Sequence, residues 1–96
     1  MSDIDFDMFD VVCTAAKKLA FEKNKLYGVK NLLIFDGLGI IVRMNDKIAR
    51  INNLFINRAT NIDTNKLNES IDDSLLDLIN YSIYLYLYSK DNLIKK

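Results

Sequence analysis

Apolar residues recur along this chain at intervals of three and four in three long blocks, the spacing of one buried face of an α-helix. The first block is Phe6, Phe9, Val12, Cys13, Ala16, Leu19 and Ala20. It predicts a helix from about Asp3 to Lys25, with Ser2 as N-cap and carboxylates in the first turn, where the helix dipole favours them. Tyr27-Gly28 ends it, Gly28 suiting the left-handed position beyond a helix C-terminus. The next segment, Asn31-Leu32-Leu33-Ile34-Phe35, reads as one helical turn or an apolar plug, and Gly37-Leu38-Gly39 reads as a break.

A second helix fits Ile40 to about Asn57, with Ile40, Met44, Ile48, Ile51 and Phe55 as its apolar stripe. Arg43, Asp46, Arg50, Asn53 and Asn57 collect on the other side. A polar loop, 59–66, leads into a third helix from about Leu67 to Ser89. There Ile71, Leu75, Leu78, Ser82 and Leu85 make an apolar strip that Leu76, Ile79, Ile83 and Tyr86 widen beyond half of the circumference. Glu69, Asp73, Asp77, Asn80, Tyr81, Tyr84 and Tyr88 fill the remaining arc, and residues 91–96 read as a frayed tail. The expected fold is therefore all-α, a single domain over residues 1–96. Its three long helices and a short one are completed into a bundle by self-association, as a dimer or higher oligomer.

Composition narrows the function classes. Thirteen basic and thirteen acidic residues cancel, which argues against bulk electrostatic binding of nucleic acid. The absence of His removes imidazole bases and His-ligated zinc, and the single Cys13, placed among apolar neighbours, reads as a small core residue. The acidic N-terminus and the lone cysteine point to a cytoplasmic protein with no membrane partner.

Four clusters carry candidate chemistry. Asp73 and Asp77 share a helical face with Glu69 and Asn80, and like charges one turn apart call for a neutralising partner. Mg²⁺ would serve, as would arginines from a neighbouring helix, and an ordinary solvated face is the plainer reading. Arg43, Lys47 and Arg50 place two of the three arginines of the chain together, suited to phosphate, to a network with Asp46, or to Asp73 or Asp77 across the bundle. Lys23, Lys25 and Tyr27 close the first helix, where lysines suit the dipole or the rim of a nucleotide pocket. Tyr81, Tyr84 and Tyr88 suit a subunit contact or a base-stacking wall.

In order, Lys25-Leu26-Tyr27-Gly28, then Gly39 to Arg50 with its Asp46-Lys47-x-x-Arg50 core, then Asp73-x-x-x-Asp77-Leu78-x-Asn80-Tyr81 resemble the nucleotide modification-associated domain family. More distantly they are similar to the all-α nucleoside triphosphate pyrophosphohydrolases of the MazG and dimeric dUTPase group. The first resemblance implies a small phage-type protein in a bacterial host, binding a nucleotide for its metabolism or modification. Sequestration of a host signalling or cyclic nucleotide in antiviral defence is a second setting for the same binder. Arg43, Lys47, Arg50 and Lys25 would then hold phosphate, Tyr27 would stack, and Asn80 would touch ribose or base. The second resemblance implies a Mg²⁺-dependent pyrophosphohydrolase with Asp73 and Asp77 on the metal and Glu22 or Glu69 beside them. The chain has only those two glutamates and no E-x-x-E pair, so binding is the better-supported expectation. A non-catalytic protein-interaction module is the remaining alternative.

Overall fold

The computed structural model describes residues 2–58 and 64–96, with side chains outside 57–67. Three helices, α1 (Phe6–Tyr27), α2 (Gly37–Arg58) and α3 (Thr64–Ser89), carry the fold, and no strand occurs among the described residues. The all-α expectation holds, with shifted boundaries. α1 starts later than predicted because Asp5, not Ser2, caps it: its carboxylate accepts from the Met8 amide at 3.1 Å. At the other end Gly28 takes φ 72°, and its amide bonds back to the Asn24 carbonyl at 2.9 Å. The positive φ is the reason for glycine here.

Residues 29–36 form a run of turns in place of the expected single helical turn or plug. Leu32 and Leu33 are half-buried, but Ile34 and Phe35 are exposed, the latter at 80%. Phe35 and Asp36 both adopt left-handed φ, 60° and 54°, and this reversal launches α2 three residues earlier than predicted. The two glycines therefore lie within the first turn of α2 and do not break it. A Cβ on Gly39 would overlap the Ile34 carbonyl oxygen, so no larger residue fits against the turn. A Cβ on Gly37 would sit 3.1 Å from the Tyr88 ring, which lies across the start of α2.

α3 is the shared partner: α2 and α1 each pack on it, and among the described residues they do not pack on each other. α3 begins at Thr64, three residues before the predicted start; residues 59–63 of the expected loop lie outside the described residues. Ala16, Ile40, Ile71 and Ser74 are the most buried positions of the core, together with Asp77 and Asn80. The predicted faces of α3 are thus partly exchanged. Leu75, Ile83 and Tyr86, expected in the apolar strip, are 40–66% exposed, whereas Asp77 and Asn80 of the polar arc are buried along with Ile71 of the strip. Cys13 is exposed, contrary to its reading as a core residue, because the first half of α1 extends past its contact with α3. Among the described residues no helix is long and apolar enough to cross a membrane.

Candidate functional site

The three helices converge around Asp77. Its carboxylate is nearly buried and is held by two ammonium groups: Lys23 Nζ from α1 lies 2.6 Å from Oδ1, and Lys47 Nζ from α2 lies 2.8 Å from Oδ2. One residue of each helix thus meets at one ion triad. Burial on its own would push the Asp77 carboxyl up, but hydrogen bonds from Lys23 and Lys47, with their charges, hold it below the ordinary carboxylate range. For Lys23 burial works downward, and the Asp77 hydrogen bond and charge outweigh it, raising the ammonium above its ordinary value. Asp73 adds a weaker attraction to Lys23 from a solvent-exposed position.

One turn further along α3, Asn80 Nδ2 donates to the Ala16 carbonyl at 2.9 Å in a buried contact. The small Ala16 side chain lets the α3 amide reach the α1 backbone. Asn80 and Asp77 therefore hold α1 in place and line what lies beside it.

That space is a cavity of about 180 Å³ at the junction of α1, the 29–36 turns, α2 and α3. Lys23, Arg43, Asp77, Asn80, Tyr27 and the Tyr81–Tyr84 pair are the lining groups with chemistry. Arg43 is anchored by donating from Nη2 to the Asn31 carbonyl at 2.7 Å, which fixes its guanidinium at the rim. The Tyr81 and Tyr84 rings meet edge-on, with centroids 6.3 Å apart. Burial raises the Tyr84 phenol above its ordinary value, and the neighbouring Tyr81 and Asp77 add to the rise. Tyr27 is 66% exposed at the mouth.

The sequence candidates separate into two groups. Tyr27, Arg43, Asp77 and Asn80 line the cavity, and Lys47 sits behind it on Asp77. Lys25, Arg50 and Asp73 do not line it: Lys25 places its ammonium 4.6 Å from the centre of the Phe21 ring, and Arg50 and Asp73 are exposed. Two lysines hold Asp77, where an arginine from a neighbouring helix was one of the readings, and Arg43 bonds the Asn31 carbonyl, where a network with Asp46 was one. Among the described residues no three acidic, Cys or His side chains gather as a metal centre.

Asn24 and Asn31 join the site without a role assigned from sequence, and Lys23 joins it from the cluster at the end of the first helix. Lys23 was visible only as one of several lysines at a helix end; its distinction is that it lies seven residues after Ala16 on the α3-facing side. The chain matches no family model, no curated protein and no solved structure.

Proposed function

We infer that this protein binds a small anionic ligand with a planar ring, of the nucleotide class, in the cavity beside Asp77. The observation that carries this reading is the charge count around the cavity. Lys23 and Arg43 line the cavity and Lys47 stands behind it, whereas Asp77 is the one carboxylate among the lining residues. Asp77 is already held by both lysines, so the guanidinium of Arg43 has donors left for a phosphate. The tyrosines at the mouth and wall, Tyr27, Tyr81 and Tyr84, provide faces on which a base can stack. Asn24, Asn31 and Asn80 add amide groups suited to a base edge or a sugar hydroxyl.

The cavity of about 180 Å³ suits part of a nucleotide, with the remainder in the open mouth beside Tyr27 and Arg43. The motif resemblance points to the same ligand class. Two settings suit such a binder: phage nucleotide metabolism, and sequestration of a host signalling nucleotide in the bacterial cytoplasm. A Mg²⁺-dependent pyrophosphohydrolase would place the metal on Asp73 and Asp77. That reading needs both lysines to release Asp77, so binding without turnover is favoured. Self-association belongs to the same picture, because wide apolar faces stay exposed on every helix. Titration of the purified chain with nucleoside mono- and triphosphates by calorimetry tests the reading. Saturable binding that Arg43→Ala weakens supports it, and heats no larger than dilution for every nucleotide contradict it.

A further inference from the structure

Among the described residues nothing covers the first half of α1: residues 6–15 are exposed throughout, although they include Phe6, Phe9, Val11 and Val12. Beside the face that carries Ala16 against α3 runs a second stripe, Phe6, Asp10, Cys13, Lys17 and Phe21, spaced by four, three, four and four residues. All five are exposed, Phe6 at 60% and Phe21 at 63%. We propose that this stripe is the contact for a second copy of the chain, with the two α1 helices packed antiparallel about a two-fold axis near Cys13.

The stripe is its own complement under that symmetry. Antiparallel pairing centred between Cys13 and Thr14 sets Phe6 opposite Phe21 of the second copy, Asp10 opposite Lys17, and Cys13 beside Cys13. The Phe6–Phe21 and Asp10–Lys17 pairs then each occur twice, and the Cys13 pair once at the axis, as an isologous interface requires. Charge follows the same division. The chain up to Ala16 has Asp3, Asp5, Asp7 and Asp10 and no basic side chain, whereas Lys17, Lys18, Lys23 and Lys25 dominate the second half. A parallel pairing would stack the carboxylates on one another; the antiparallel one matches opposite signs.

A receptor for the free end already exists. A groove of about 510 Å³ lies between the second half of α1 and the C-terminal tail. Phe21, Val29, Leu32, Leu93 and Ile94 make it apolar, and Lys17 and Lys95 line it as well. The tip of a second α1, with Phe6 and Phe9 5.8 Å apart and acidic residues around them, matches it in both respects. A specific interface needs at least about 600 Å² per protomer, and the exposed stripe with Ile4, Phe9 and Asn24 is the surface that would supply it.

Sedimentation of the full chain over a concentration series tests this directly. A dimer at low micromolar concentration is expected, and Phe6→Asp and Phe21→Asp should each raise its dissociation constant about 100-fold or more. Both residues are exposed in the protomer, so helical content should not change; Phe6→Asp alone decides if Phe21→Asp fails to fold. Asp10→Lys and Lys17→Asp should each weaken the dimer, and the two together should restore it. With diamide as oxidant, the two Cys13 thiols give up two protons and two electrons to form one disulfide, diamide being reduced to its hydrazine. A covalent dimer should appear in wild type and fall away in Phe6→Asp. A monomer at about 50 µM overturns the proposal, a concentration at which this interface should be populated. A dimer unaffected by Phe6→Asp but lost in Tyr84→Ser/Tyr88→Ser also overturns it, by moving the contact to α3.

Discussion

Lys23 and Lys47 grip opposite oxygens of Asp77, so a single carboxylate ties α1 and α2, which among the described residues do not pack on each other, to the helix between them. Removing the charge leaves two ammonium groups without their partner. Asp77→Asn should cost about 2–3 kcal/mol, lowered from the fully buried case because the lysines are partly exposed. For a chain of this size that corresponds to a fall in Tm on the order of 10 °C. Lys23→Met should cost less than Asp77→Asn, since Lys47 still pairs with the carboxylate. Thermal melts of the two variants check the ranking.

The same triad sets a pH window. The Asp77 carboxyl is depressed, so its stabilisation is fully present above the ordinary carboxylate range and is lost as pH falls through its folded value. The Lys23 ammonium is raised, so its share is complete below about 10.4 and is lost as pH rises through the folded value. Tyr84, also raised, loses its share on the alkaline side in the same sense. Stability should therefore be flat between about pH 5 and pH 9 and fall on both sides. In Asp77→Asn the acid limb should become shallower. An unchanged acid limb in that variant would remove Asp77 from the account.

Asn80 makes a separate prediction because its partner is backbone. Asn80→Leu fills similar volume but leaves the Ala16 carbonyl without the amide of α3, and buries no replacement donor. A loss of about 1–3 kcal/mol is expected, and hydrogen exchange should quicken in α1 around Ala16 before it does in α2. Uniform quickening across all three helices would contradict the assignment of this bond to α1 docking.

The two glycines of α2 should respond differently to alanine. At Gly39 the new methyl meets a fixed backbone oxygen of Ile34, and a cost of about 2 kcal/mol or more is expected. At Gly37 it meets the edge of the Tyr88 ring, which can shift, and the better helix propensity of alanine offsets the contact. Denaturant titration of both variants should give a net change at Gly37 within about 1 kcal/mol.

These residues also mark how far the sequence can be read. The three helices were legible because their apolar positions repeat with helical spacing and no proline interrupts them. The starts of α1 and α2 were not, since Asp5 competes with Ser2 as a cap and the reversal at Phe35 and Asp36 uses left-handed φ at residues with no glycine signal. Asp77 and Asn80 were legible as candidates from their spacing. Their burial was not, because helical periodicity assigns polar residues to solvent and has no term for a carboxylate met by lysines from two other helices. The pairing of Lys23 with Asp77 was hidden for the same reason: the two are 54 residues apart in the chain.

Calorimetric titration of a nucleoside triphosphate into wild type and Arg43→Ala decides whether the ligand is bound at the Arg43 rim. Wild type should bind saturably, with one ligand per chain. Arg43→Ala should lose about 10- to 100-fold in affinity, the size of one charge-assisted contact, while its Tm without ligand falls little. Arg50→Ala, outside the cavity, should bind as wild type does. Equal affinity in wild type and Arg43→Ala, or a loss confined to Arg50→Ala, would contradict the placement of the ligand beside Asp77.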